Sequence, residues 1–208
     1  MPGFQIHIAI AKRYIEKNAG TKAAIKNLQL FYDGNIAPDL TTDKNLTHYG
    51  SQPKYDHKSL EDLYELATKK TSPAKYLAHN EIKNDFDRGV FLHLITDYKF
   101  YTEFFNKEYY KNRIHRVFLS DLYKSYGLTN GYIEKKYDLQ SIGKYVDFTM
   151  LEKLIFEAND RRHKENHETQ YEPKKILHEN EIDKFIEEVS SMDLKSTIEF
   201  FRNSSPEP

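Results

Sequence analysis

Apolar residues recur three and four positions apart along almost all of this 208-residue chain, and period-two alternation never persists beyond a few residues. A chain so patterned buries its apolar faces by packing helix on helix. It predicts an all-α fold, a single-domain helical bundle, and the length suffices for one sizeable core. The spacing predicts a first helix over about residues 4–17, with Phe4, His7, Ile8, Ala11, Tyr14 and Ile15 on one face, and a second over about 21–31. Between about 33 and 55 turn residues such as Gly34, Pro38 and Gly50 break the rhythm, which predicts a long irregular loop. Helices are expected again over about 58–70, after Pro73, over about 81–105 and over about 107–126. Gly127 and Gly131 are expected to interrupt the pattern, before helices over about 150–159, 173–190 and 194–202 and a frayed tail over 203–208. The polar run 160–172 reads as an exposed connection or a helix end.

Charge and cysteine usage narrow the chemistry. A net charge of −1 with 30% charged residues lacks the basic excess that duplex nucleic acid demands. No cysteine is present, so a disulfide framework and a thiolate zinc site are excluded, and any metal must be held by nitrogen or oxygen. The first 17 residues have no signal-like apolar core, and no run reaches the length of a membrane span. The expectation is a soluble, cytoplasmic protein without a transmembrane segment, in which the Asn45 and Asn203 glycosylation patterns are chance matches.

Within the predicted helix over 81–105, His93 and Asp97 stand four residues apart on one face, beside Phe86, Val90, Leu94, Tyr101 and Phe104. A buried carboxylate needs a partner. The pair is either a hydrogen-bonded stitch in the core or part of a metal site. His7 lies on the apolar stripe of the first helix, Asp39 follows Ala37-Pro38 in an apolar loop segment, and His48 follows Leu46-Thr47. Taken singly they read as a satisfied core histidine, a turn aspartate and a loop histidine. Together with His93 and Asp97 they make three imidazoles and two carboxylates from three segments, enough for two divalent ions.

In this order the residues resemble the zinc-dependent phospholipase C and single-strand nuclease superfamily, in its short bacterial cytoplasmic form. The resemblance rests on Met1-Pro2 with the nearby His7, on Gly34-Asn35-Ile36-Ala37-Pro38-Asp39, on His48, and on the helix bearing His93 and Asp97. It covers roughly the first half of the chain. It implies a helical bundle with a metal cluster at one end, and metal ligands at His7, Asp39, His48, His93 and Asp97. The chain departs from that family at a further metal site. No histidine occurs between Tyr98 and Phe105, and His115 is followed four residues later by Leu119. Glu103, His115 and Asp121 are the substitutes on offer, Asp121 sharing a face with Ile114, Val117 and Phe118.

The expected function is a metal-dependent hydrolase acting on a small phosphate ester, diester or monoester, with Asp97 or Asp39 bridging two ions. Imidazole with carboxylate suits zinc, and iron or manganese would also be accommodated. The alternative is a helical scaffold that keeps the fold, has lost catalysis, and binds one structural metal or a ligand. A phosphohydrolase defined by an adjacent His-Asp pair is excluded, because no histidine here is followed directly by aspartate. An interaction module, suggested by 16 Tyr and 13 Phe, is disfavoured because most of these rings fall at core spacing. His163 and His167 also stand four apart, but in fully polar company that reads as a solvated face.

Overall fold

A computed structural model of the chain describes residues 3–41, 43–50, 68–104, 115–165 and 175–204, with the backbone alone at 115–121, 123 and 158–165. Among these residues the chain is helices joined by turns, with an isolated antiparallel bridge between Tyr49 and Thr71. The helices are α1 (Phe4–Asn18), α2 (Leu28–Leu40), α3 (Lys44–His48), α4 (Pro73–His79), α5 (Asp85–Lys99), α6 (His115–Lys136), α7 (Phe148–Glu165), α8 (Glu179–Ser190) and α9 (Leu194–Asn203). A π turn, Phe100–Phe104, continues α5, and a 3-10 turn, Leu139–Ile142, follows α6.

Two helices form the centre. Every residue from Gln5 to Ala11 in α1, and every residue from Phe91 to Asp97 in α5, is buried. The sequence suggested a single inward stripe on each. Burial all round shows instead that α1 and α5 are enclosed by their neighbours. The amphipathic α8 closes over α1 with Ile182, Phe185, Ile186 and Val189, and Arg13 clamps Glu187 at 2.8 and 3.1 Å.

The closest packing in the fold is α2 against α5, and two glycines permit it. A Cβ on Gly34 would stand 2.0 Å from the Phe86 carbonyl oxygen, and one on Gly89 would stand 2.1 Å from that of Phe31. Backbone therefore meets backbone at this crossing, where a side chain would force the helices apart.

This crossing explains the main departure from the sequence expectation. The second helix runs from Leu28 to Leu40, through the stretch read as loop, and not over 21–31. Asp85 Oδ2 accepts the backbone N–H groups of Lys26 and Asn27 at 2.9 and 2.7 Å, which holds that segment extended. Asn27 then caps the helix by accepting the Leu30 N–H at 3.1 Å. Gly34 is a packing residue and not a turn residue. Pro38 falls in the last turn, where it removes one bond and the helix stops two residues later. His48 likewise lies at the end of a one-turn helix.

Elsewhere the elements match with shifted ends. The predicted helix over 81–105 begins at Asp85, where Asn84 and Asp87 form a reciprocal capping box, and ends in the π turn. The helix α6 passes straight through Gly127 and Gly131, because both face open space while Leu122, Tyr126, Ile133 and Tyr137 anchor the other side. Ile176 and Leu177 donate their N–H groups to Ser125 Oγ at 2.7 and 3.3 Å, which delays the start of α8 to Glu179. The helix α7 extends to Glu165, so the start of the run read as an exposed connection or a helix end is a helix end. Most of the helix expected over 58–70, the start of the one over 107–126, and the tail beyond Ser204 lie outside the described residues. Among the described residues no helix is long and apolar enough to cross a membrane.

Candidate metal centre

Four helices bring the five singled-out residues to one point: His7 from α1, Asp39 from α2, His48 from α3, and His93 with Asp97 from α5. His7, His93 and Asp97 are fully buried, His48 is 1% exposed, and the Asp39 side chain is 7% exposed. Asp97 stands in the middle. Its Oδ2 lies 3.2 Å from His48 Nε2 and 3.8 Å from His93 Nε2, and its Oδ1 lies 3.3 Å from His7 Nε2. His48 Nε2 is also 3.2 Å from His93 Nε2 and 3.5 Å from Asp39 Oδ1. The rings of His7 and His93 stack at 3.9 Å, nearly parallel. Two triads, His7–Asp39–His93 and His48–His93–Asp97, have the spacing to hold a metal ion.

Backbone and hydroxyl groups choose the nitrogen that His93 and His48 present. His93 Nδ1 lies 2.8 Å from the Asn35 carbonyl and must donate to it, leaving the Nε2 lone pair facing the cluster. Thr47 spends its hydroxyl proton on the Pro38 carbonyl at 3.0 Å, so at 3.0 Å from His48 Nδ1 it can only accept. His48 therefore also turns Nε2 inward. Thr71 donates to Asp97 Oδ2 at 3.3 Å. The Tyr49–Thr71 bridge and the bond from Ser72 N–H to the His48 carbonyl at 3.0 Å fix Thr71 beside the cluster. Gly50 is required in that clamp, since a Cβ there would stand 2.1 Å from the Lys70 carbonyl.

The charges are strongly coupled. Burial alone would raise the Asp97 carboxyl, but the imidazoles of His93, His48 and His7 around it hold it well below the usual carboxylate range. Asp39 is likewise opposed by burial yet held low by His48, His93 and Lys44. Burial disfavours the His48 imidazolium, and Asp39 with Asp97 overcome this to push it up to about 9. Burial, then His7, lower His93 to about 3, so it is neutral. Without an ion, the cluster is an imidazolium set between two carboxylates. Burial also lowers the Lys70 ammonium to about 8, against the pull of Asp97.

That arrangement leaves polar atoms without a partner. Both nitrogens of His7, Asp97 Oδ1 and both amide atoms of Asn35 are buried and make no hydrogen bond. His7 Nε2 and Asp97 Oδ1 are near each other but not aligned as donor and acceptor. Each such group costs free energy of about 1–3 kcal/mol unless a ligand satisfies it. A cation would satisfy one His7 nitrogen and Asp97 Oδ1 among them, and a nitrogen-and-oxygen donor set without thiolate fits zinc or another divalent ion.

Other singled-out residues fare differently. Glu103 is exposed and paired with Lys99 at 2.7 Å, so it does not substitute for a ligand. His115 and Asp121 both lie on α6, and their side chains fall outside the described residues, as do those of His163 and His167. Sequence reasoning missed Asn35, Lys44, Thr47, Lys70 and Thr71. Lys44 could have been found, because it precedes His48 by one helical turn. Compared with known proteins, the chain matches no family model, no curated protein and no solved structure.

Proposed function

We propose that this chain is a metal-dependent hydrolase of a phosphate ester, of the phospholipase C and nuclease type, acting on a small cytoplasmic substrate. The observation that carries the proposal is the enclosed set His7, Asp39, His48, His93 and Asp97, with the His48 and His93 nitrogens fixed inward and buried atoms left unpaired. His48, His93, Asp97 Oδ2 and Asp39 would hold one ion, and His7 with Asp97 Oδ1 would contribute to a second, because His93 offers a single lone pair. Bound there, a divalent ion, zinc first and iron or manganese next, supplies Lewis acidity and an activated water for attack at phosphorus. Asp97, with one oxygen toward His7 and the other toward His48 and His93, would serve as a ligand on both sides of the cluster. Asp39, at the more open edge, would orient the attacking water.

A second reading is a scaffold with one structural ion. It is favoured by a single observation: the two triads share His93, and its one free nitrogen serves one ion at a time. Turnover separates the two. Zinc-loaded wild type is expected to cleave an aryl phosphodiester or phosphomonoester, with activity at background in His93→Ala and Asp97→Ala. One tightly held ion and no turnover on either ester would contradict hydrolysis and favour the scaffold.

A further inference from the structure

Lys44 opens α3 and His48 closes it, so the two stand one turn apart on the same face. Both reach the same atom. Lys44 Nζ is 2.5 Å from Asp39 Oδ1, and His48 Nε2 is 3.5 Å from it. The Lys44 ammonium also lies 3.5 Å from the Pro38 carbonyl, which fixes its approach from the end of α2. Its side chain is 22% exposed, whereas the five cluster residues are nearly or wholly enclosed. The ammonium therefore stands at the open edge of the centre, one carboxylate away from any ion that Asp39 and His48 would hold.

We infer that Lys44 is a substrate-contacting residue, its ammonium gripping a non-bridging oxygen of an anionic phosphate ester; this rests on the hydrolase proposed above. An ion on His48 and Asp39 brings two cations to within the width of one carboxylate. A divalent ion and the Lys44 ammonium together would outweigh the carboxylates of Asp39 and Asp97 by a net positive charge, which a tetrahedral phosphoryl group would offset by presenting one oxygen to each cation. Lys44 would thus select charged phosphoesters over neutral esters. As a point charge on a flexible stem, it can leave Asp39 for the substrate without moving the helix.

The test uses the full chain loaded with zinc, as wild type, Lys44→Met and Lys44→Arg. Inorganic phosphate binding is measured by calorimetry, and zinc content is measured on the same samples. The expected result is unchanged zinc content in all three, phosphate affinity about ten- to a hundredfold weaker in Lys44→Met, and most of it restored in Lys44→Arg. Zinc-loaded Lys44→Met that binds phosphate like wild type would overturn the Lys44 assignment alone. So would loss of zinc in that variant, which would make the lysine a support for the ligands. Wild type that takes up no zinc would overturn the hydrolase proposal, and this inference with it.

Discussion

His93 Nδ1 lies 2.8 Å from the backbone carbonyl of Asn35, so one hydrogen bond both fixes the imidazole ring and ties α5 to α2 at the point where they cross. The bond exists only because Gly34 and Gly89 let the two backbones touch. Gly89→Ala or Gly34→Ala should therefore damage stability and metal binding together. A loss on the order of 2–3 kcal/mol or more is expected in urea unfolding, accompanied by a fall in bound metal. An alanine variant with wild-type stability would show that the crossing is looser than described.

The hydroxyls that orient the cluster should matter without touching an ion. Thr47→Val removes the acceptor that sets the His48 ring, and Thr71→Val removes a donor to Asp97 Oδ2. Each should weaken zinc affinity by roughly ten- to a hundredfold in competition with a chelating dye. Far-ultraviolet circular dichroism should stay unchanged.

The metal-free protein should be most stable near the ordinary histidine value of 6.5. His48 is pushed up to about 9 and His93 down to about 3, both against 6.5 in the unfolded chain. From 6.5 to about 8 the folded state holds one proton more than the unfolded on His48, so stability falls as pH rises; above about 8 the lowered Lys70 ammonium offsets this, because there the unfolded chain holds the extra proton. From 6.5 down to about 3 the unfolded state holds one more, so stability falls as pH drops, and the low carboxyls of Asp39 and Asp97 reinforce that acid arm. Thermal midpoints of chelator-treated protein across pH 5 to 10 check this. Zinc should remove the alkaline decline, because the ion replaces the proton on His48. A midpoint that climbs from pH 6.5 to 8 without metal is the contrary result.

Gly127 and Gly131 sit inside α6, exposed, and a Cβ added at either would have no atom within 4 Å, so alanine fits at both. Gly127→Ala and Gly131→Ala should each stabilise the protein by about 0.5–1 kcal/mol in urea unfolding. Destabilisation would mean that the helix needs the freedom of those glycines.

The helical class was legible because apolar spacing records burial, and α1, α5, α8 and α9 all fall near their expected places. The second helix was not, because Gly34, Asn35 and Pro38 are turn residues by local preference, while the contact that makes them helical comes from Phe86 and Gly89, some fifty residues away. In the same way, His93 with Asp97 was visible from i, i+4 spacing, and His7 from its place on an apolar stripe. Thr47, Thr71 and the Asn35 carbonyl act through bonds across the fold, which no spacing along the chain records.

The most direct test of the metal centre is the anomalous scattering of crystals of the zinc-loaded protein. Zinc held as proposed gives a peak at about 2.0–2.2 Å from His48 Nε2, His93 Nε2 and an oxygen of Asp97, with Asp39 beside it, and no such peak in Asp97→Ala. A fully loaded crystal with no peak among these residues, or with zinc only at surface histidines, would contradict it.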